Sequence, residues 1–142
     1  MKGLSGKNVL VTGGSTGIGR AIARQFAQAG ANVSVNYHSH REDAEETRQQ
    51  MLDACTELES CGQKPVLIQA DVSQAEAVNQ LFTETLEAFG SLDILINNAG
   101  MQIEGASHEI AIADFDKMLA VNLRGAYLCA RQAIQHFLSQ GT

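Results

Sequence analysis

The sequence predicts an α/β protein with a doubly wound parallel sheet, and three observations lead to this fold class. Four short apolar runs alternate with longer stretches whose apolar residues recur every three or four positions. Each run is separated from the next by enough chain for the helical crossover that parallel neighbours require. Glycines gather at the first strand-to-helix junction, at Gly13, Gly14, Gly17 and Gly19. Right-handed crossovers then favour the strand order 3-2-1-4.

Strands and helices are expected in strict alternation. The strands are KNVLVT (Lys7–Thr12), ANVSVNY (Ala31–Tyr37), PVLIQA (Pro65–Ala70) and LDILIN (Leu92–Asn97). The helices are one from Ile18 to Ala29 that stops at Gly30, a polar one from Arg41 to Ser60, one that ends at Gly90, and a long one from Ala113 to Leu138 that is broken near Asn122. Ser73 and Glu76 predict a capping box at the start of the third helix.

Composition indicates a single acidic domain of an ordinary globular kind. The 142 residues are 44% hydrophobic and 18% charged, with a net charge of −6. This balance argues against nucleic-acid and membrane partners, and no apolar stretch approaches the roughly 20 residues of a membrane helix. The first residues do not form a secretory signal, so a cytoplasmic location is expected. Cys55, Cys61 and Cys129 are expected to be reduced thiols.

A metal site is not expected, although two histidines stand close together. His38 and His40 have a spacing that places both imidazoles on one face of a strand. No cluster of carboxylates or cysteines accompanies them. The prediction is therefore that the chain binds no metal.

The glycine-rich stretch TGGSTGIG predicts a site for a pyrophosphate. Gly13 permits a tight turn out of the first strand, Gly17 lets the backbone approach the anion, and Gly19 lets the helix pack closely on the strand. The free N–H groups lie at the positive end of the helix dipole. The expected contacts in this loop are Gly13, Ser15, Thr16, Gly17, Ile18 and Gly19. A Rossmann-type dinucleotide site is the consequence, because the loop opens a β-α-β unit.

The end of the second strand is expected to discriminate between NAD and NADP. An acidic residue about 20 positions after the glycines favours NAD, but counting from Gly17 leads to Tyr37. His38, His40 and Arg41 follow and are suited to a 2′-phosphate. We therefore expect Tyr37 and His38 to contact the cofactor, which is NADP or NAD with NADP weakly favoured.

Four motifs in order resemble the short-chain dehydrogenase/reductase family of classical type. They are TGGSTGIG, the ADVS segment with Asp71 and Val72, NNAG at residues 97–100, and VNLRGAY with Asn122. Within the family, the chain is most similar to bacterial glucose dehydrogenases, with the acyl-carrier-protein ketoreductases next. The resemblance implies that Asp71 and Val72 lie against the adenine, and that Asn98, Ala99 and Gly100 lie beside the nicotinamide ribose.

The resemblance also implies hydride transfer between nicotinamide and a small alcohol or ketone. In the family a tyrosine moves the proton, a lysine four residues later lowers the tyrosine pKa, and a serine steadies the substrate oxygen. Here only Asn122 matches this network, because the serine and the Tyr-x-x-x-Lys pair are absent. Tyr37 and Tyr127 are not expected to replace the tyrosine, and Tyr127 is interpreted as a packing residue. We expect residues 1–142 to be the N-terminal, NAD(P)-binding half of a family domain, ending after the fourth strand and its helix.

Two classes of function remain open. The first is an oxidoreductase of this family, present as a cofactor-binding fragment that is inactive alone. The alternative is a non-catalytic NAD(P)-binding or scaffolding module. A homo-oligomer is expected in both cases, because the fourth strand and the long helix present apolar surface.

Overall fold

A computed structural model describes residues 3–56, 62 and 64–141. The strands are β1 (Asn8–Val11), β2 (Asn32–Tyr37), β3 (Val66–Gln69) and β4 (Ile94–Ile96). The helices are α1 (Gly17–Gln28), α2 (Arg41–Thr56), α3 (Ala75–Phe89), α4 (Ile112–Leu119) and α5 (Ala126–Gln140). A π-helical segment (Ala120–Gly125) joins α4 to α5. Each predicted strand is present, and each is shorter than its apolar run.

All four strands are parallel, in the order β3-β2-β1-β4. Val9 of β1 lies opposite Val33 of β2 on one side and Ile94 of β4 on the other. The predicted strand order is therefore confirmed. Because β1 is central, its carboxyl end lies between the ends of β2 and β4, and the glycine loop begins there.

Helices cover both faces of the sheet, as the doubly wound class requires. Val9 and Val11 pack with the side of α1 that carries Ala23 and Ala27, and Met51 of α2 joins this cluster. Leu10 points the opposite way, because side chains alternate along a strand, and joins a second cluster. That second cluster contains residues of α3 and α5, namely Val78, Leu81, Phe82, Cys129 and Ala133.

The predicted capping box at the start of α3 is wrong. The helix begins at Ala75, and no side chain caps it. The Ser73 hydroxyl instead donates to Asp71 Oδ1 at 2.7 Å, and the Ser73 N–H donates to the same oxygen at 2.9 Å. Ser73 therefore stabilises the turn that leaves β3 rather than the helix that follows.

The long helix changes its winding where the break was expected. It runs from Ile112 to Gln140, with the π-helical segment Ala120–Gly125 in its middle. The chain is not interrupted there, but the wider turn displaces the two halves relative to a continuous α-helix. Asn122 lies inside the wide turn. A single π-turn of this kind is frequent at functional sites.

The described residues also bear on the expectations about cysteines, metal ligands and membrane helices. Cys55 and Cys129 are buried, whereas Cys61 and the last residues of the predicted second helix, 57–60, lie outside the described residues. Within residues 3–56, 62 and 64–141, no three histidines, cysteines or acidic residues come together as metal ligands. None of the helices in this part of the chain has the length and apolarity to cross a membrane.

Candidate functional site

A cleft of about 790 Å³ lies at the carboxyl ends of β1, β2, β3 and β4. This is the position at which open parallel sheets bind ligands. Its wall includes every predicted cofactor contact except Tyr37. These residues are Gly13, Ser15, Thr16, Gly17, Ile18, Gly19, His38, Asp71, Val72, Asn98, Ala99 and Gly100. The sheet therefore brings together stretches that are up to 87 residues apart in the chain.

Three of the four glycines in the loop were predicted to contact the cofactor, and each has a different steric environment. Gly13 has a φ of +61°, and a Cβ there would lie 2.8 Å from Ala99 Cα. Gly19 is a position of close approach, because a Cβ there would lie 2.3 Å from the Gly13 oxygen. Gly17 has a φ of +50°, and a Cβ there would meet no atom within 4 Å. The added carbon at Gly17 would occupy space that the protein itself leaves open.

The first turn of α1 is arranged to receive an anion. The N-cap residue Thr16 makes no side-chain cap hydrogen bond, and the first turn contains no acidic residue. The initial N–H groups of a helix have no partner within the helix itself. Together with the helix dipole, they favour a negatively charged ligand at this end of α1.

Asn98 connects the NNAG motif to the glycine loop. Its side-chain amide donates to the Thr12 oxygen at 3.0 Å and to the Gly13 oxygen at 2.9 Å. The Thr12 hydroxyl oxygen accepts the N–H groups of Asn98 and Ala99, each at 3.0 Å. These bonds fix the ends of β1 and β4 relative to each other, so the two motifs form one continuous wall.

Arg20 and Thr47 hold the glycine loop from the side of the helices. The Ser15 carbonyl accepts hydrogen bonds from Arg20 Nε at 3.0 Å, from Arg20 Nη2 at 2.8 Å and from Thr47 Oγ1 at 2.9 Å. Thr47 is fully buried. Sequence reasoning missed this arrangement. Arg20 directly follows the glycine motif, but nothing in the polar run of α2 distinguishes Thr47 from its neighbours.

Asn36, not Tyr37, is the β2 residue that lies on the cleft wall. The Asn36 side chain accepts the Gly13 N–H at 3.3 Å and donates to the Ala70 oxygen at 3.0 Å. Tyr37 is buried, with 4% exposure, and does not reach the cleft. The burial of Tyr37 was predictable from the alternation of side chains along β2, because Tyr37 lies on the same face as Val33 and Val35.

Asp71 supplies a fixed negative charge to the cleft. Burial of the Asp71 carboxyl opposes its ionisation, but hydrogen bonds from the Ser73 hydroxyl and N–H outweigh that effect. His38 and Lys117 add favourable charge, and together these groups hold the pKa of Asp71 below its ordinary value. The carboxylate is therefore ionised at neutral pH.

Two histidines stand on the cleft wall near the ends of β2 and β3. His38 Nε2 lies 3.9 Å from Asp71 Oδ2, and His40 Nδ1 lies 3.4 Å from Glu42 Oε1. Their side chains are 72% and 70% exposed, so both are available to a ligand. Ser39, Asp43 and Lys117 also line the cleft and were not among the predicted contacts.

Asn122 does not line the cleft but supports its rim. Its Oδ1 accepts the Met101 N–H at 2.8 Å, and its Nδ2 donates to the Met101 oxygen at 2.8 Å. Met101 follows the NNAG motif and lies on the cleft wall. The π-helical segment thus connects the long helix to the segment after β4.

The residues present fit a dinucleotide. Gly17 leaves open space beside an uncapped helix, which suits a pyrophosphate, and Asp71 and Val72 line the same cleft after β3. Asn98, Ala99 and Gly100 line the region beyond the glycine loop.

Neither tyrosine is placed to serve a ligand in this cleft. Tyr37 is inside the sheet layer, and Tyr127 lies on α5 with 63% of its surface exposed. Tyr127 lines a separate apolar depression with Leu119 and Leu123. The interpretation of Tyr127 as a packing residue stays a prediction, and because the side chain is exposed in this chain, it requires a partner surface.

The chain belongs to the short-chain dehydrogenase family, whose model, described as "short chain dehydrogenase", matches residues 7–142. It is 39% identical over 138 residues to glucose 1-dehydrogenase 2 of Bacillus subtilis, with 96% of this chain and 51% of the relative covered. It is 40% identical over 137 residues to 3beta-hydroxysteroid dehydrogenase 1 of Eggerthella lenta, with 96% and 50% covered. The chain spans about half the length of these curated relatives.

Solved structures agree with the family and the fold. A short-chain type dehydrogenase/reductase from Mycobacterium marinum superposes with a TM-score of 0.88 at 30% identity, covering 97% of this chain and 53% of that one. A short chain dehydrogenase from Burkholderia cenocepacia, solved in complex with NADP, gives 0.84 at 38% identity, covering 94% and 51%. The family binds NAD or NADP, and the predicted Rossmann-type architecture is confirmed.

Proposed function

We propose that this chain forms the dinucleotide-binding part of an oxidoreductase that transfers hydride between NAD(P) and a small alcohol or ketone. The observation that carries the proposal is the bonding of Asn98 to Thr12 and Gly13. It joins the NNAG and TGGSTGIG motifs into one wall of one cleft, beside the uncapped end of α1. A lone glycine loop has no such second wall.

Each part of the cofactor has residues suited to it. The N–H groups of the first turn of α1 bind the pyrophosphate. Asp71 and Val72 lie along the adenine, and residues 98–100 lie beside the nicotinamide ribose. When bound, the nicotinamide supplies or accepts the hydride. Asn122 acts at a distance, because it positions Met101 on the rim of the cleft.

The support for an alcohol or ketone as substrate comes from sequence similarity to characterised relatives. Two relatives are named for a sugar and for a hydroxysteroid, both of which are alcohols. NADP is the favoured cofactor, because the similar Burkholderia cenocepacia structure contains it and two exposed histidines stand at the end of β2. We place the protein in the cytoplasm, and the buried thiol of Cys129 is in keeping with the reducing conditions there.

We also propose that the chain associates with a second copy of itself. The long helix carries a stripe of exposed apolar side chains: Ile112, Phe115, Leu119, Leu123, Tyr127, Ile134 and Leu138. A stripe of this extent favours a partner surface. The open edge of β4 is a second candidate surface, because β4 pairs on one side only.

Titration calorimetry with NAD and NADP tests cofactor binding on matched glycine variants. Gly17→Ala and Gly90→Ala both place a Cβ at a positive φ, +50° and +79°, and neither Cβ meets another atom within 4 Å. Only Gly17 lines the cleft. We expect Gly17→Ala to lose binding and Gly90→Ala to retain it. Equal loss in both variants, or no binding by the parent chain, contradicts the proposal.

A non-catalytic NAD(P)-binding module is the second candidate. It rests on the same cleft, and among the described residues neither Tyr37 nor Tyr127 lies on the cleft wall. Both candidates predict cofactor binding. They differ in whether the complete polypeptide turns over an alcohol or ketone, and an activity measurement on that polypeptide separates them.

A further inference from the structure

We propose that His38 and His40 make the choice between NADP and NAD depend on pH, with NADP gaining affinity relative to NAD as the two imidazoles are protonated. This inference rests on the proposed function, since it concerns the same cleft. NAD and NADP differ only by the 2′-phosphate on the adenosine ribose. That phosphate carries between one and two negative charges near neutral pH. The charge of the surrounding cleft wall therefore affects the affinity for NADP relative to NAD.

The fixed charge of the cleft wall is unfavourable to a second phosphate. Among the wall residues that the structure describes, the permanently charged side chains are those of Asp43, Asp71 and Lys117. With neutral imidazoles the wall has one net negative charge. When His38 and His40 are both protonated, the net charge of the same wall becomes positive by one.

The geometry places both imidazoles where this change matters. The adenosine ribose is held at the carboxyl end of the second strand in dinucleotide-binding folds. His38 directly follows β2, and His40 directly precedes α2. Both are exposed residues of the cleft wall, so a ligand phosphate meets them without a rearrangement of the core.

The carboxylates beside the two imidazoles keep their charge over the pH range of the experiment. His38 faces Asp71 of the loop after β3, which Lys117 of α4 also approaches. His40 faces Glu42 of α2, whose pKa is lowered by a backbone hydrogen bond and by His40. Both carboxylates therefore stay ionised over the range in which histidine ordinarily titrates.

The nearby arginines do not substitute for the histidines. The Arg20 side chain donates to the Ser15 oxygen and lies 3.1 Å from Glu46 and 3.8 Å from Asp43, so its charge is already paired with carboxylates. Arg41 lies 3.4 Å from Glu45 on the exposed side of α2, and neither arginine is on the cleft wall. His38 and His40 are thus the cleft residues at this end whose side chains become cationic on protonation.

The experiment measures dissociation constants for NAD and NADP by titration calorimetry at about pH 6 and about pH 8, which bracket the ordinary histidine pKa. The quantity compared is the ratio of the two constants, so that any pH effect shared by both cofactors cancels. The proteins are the parent chain, the double variant His38→Gln/His40→Gln, and His108→Gln. His108 is an exposed histidine in the segment before α4 and is not a cleft residue, so it serves as the matched control.

We expect the preference for NADP over NAD in the parent chain to rise roughly tenfold between the higher and the lower pH, as two solvent-exposed charge pairs would give. His108→Gln should behave like the parent. The double variant should retain only the smaller change that the phosphate's own titration produces. An equal change in the parent and the double variant, with cofactor still bound, overturns this inference alone. Failure of every protein to bind either cofactor at both pH values overturns the proposed function as well.

Discussion

The side chain of Asn122 pairs with the backbone of Met101 through two hydrogen bonds of 2.8 Å, one in each direction. The amide group of an asparagine side chain matches a peptide group, so the pair resembles one rung of a sheet. It joins the π-helical segment to the stretch that follows β4. This relationship gives Asn122 a structural role that is separate from its resemblance to the family's catalytic network.

Replacing Asn122 by aspartate should destabilise the fold. A carboxylate accepts the Met101 N–H but loses the donor and repels the Met101 oxygen. We expect the free energy of unfolding to fall by about 1–2 kcal/mol. Urea denaturation measures this change. Asn79→Asp is the control, because the Asn79 oxygen accepts a bond from Gln132 that aspartate also accepts. An equal loss in both variants contradicts the role given to the Asn122 donor.

Asp93 should make stability depend on pH. Its carboxylate accepts the Asn8 N–H at 2.8 Å and the Lys7 ammonium at 3.0 Å. The bond from Asn8 lowers the pKa of Asp93 most, burial opposes it, and Lys7 adds to the lowering. A carboxyl group with a lowered folded pKa stabilises the fold above its unfolded pKa of about 4. That contribution is lost as pH falls through the folded pKa.

Asp93→Asn should therefore lower the Tm more at about pH 6 than at about pH 3, since the ordinary carboxyl pKa lies between these values. Thermal unfolding followed by circular dichroism provides the comparison. Asp53→Asn is the control, because the Asp53 carboxylate accepts a hydrogen bond from Gln49 on the exposed side of α2. The asparagine oxygen also accepts that bond. A Tm difference for Asp93→Asn that is the same at both pH values would rule the linkage out.

The 142-residue chain alone should turn over no alcohol or ketone with NAD or NADP. A positioned acid or base contributes typically 10²–10⁴-fold to such a reaction, and neither Tyr37 nor Tyr127 lies on the cleft wall. Nicotinamide absorbance measures turnover, with an intact short chain dehydrogenase as positive control. Activity that scales with the purified chain and disappears in Gly17→Ala would refute the expectation.

Association through the long helix should depend on Leu123. Leu123 is 66% exposed and lines the apolar depression with Leu119 and Tyr127. We expect light scattering to give a dimer for the parent chain and a monomer for Leu123→Lys. Gln135→Lys, an exposed change elsewhere on α5, should remain dimeric. A dimer that survives Leu123→Lys would assign the contact to the edge of β4, and a monomeric parent chain would remove the proposal of self-association. Phe137 is less diagnostic, because it packs against the core.

The elements of the fold were predictable because their signals are local. The apolar runs around Val9, Val33, Ile68 and Ile96 are short and alternate with stretches of helical periodicity, which indicates parallel strands. The right-handed crossover rule then predicts their order in the sheet. The glycine spacing predicted the close approach at Gly19, which a Cβ would bring to 2.3 Å from the Gly13 oxygen.

The errors arose where a side chain had more than one possible partner. Ser73 has the sequence context of a helix cap but bonds to Asp71 instead, because a turn residue competes for the same hydroxyl. Counting along the chain led to Tyr37, whereas the alternation of β2 turns Asn36 toward the cleft. The bond from Thr47 to the Ser15 oxygen joins α2 to the glycine loop, and no local pattern indicates such a contact.

The three hydrogen bonds on the Ser15 carbonyl have a thermodynamic consequence for ligand binding. In a trans peptide the carbonyl and the following N–H point in opposite directions, so holding the Ser15 oxygen against Arg20 and Thr47 also fixes the direction of the Thr16 N–H. The peptide plane cannot rotate without breaking all three bonds. This peptide is thus oriented before any anion arrives. Ordering it is not part of the entropic cost of binding a dinucleotide, so the contact gains affinity through pre-organisation.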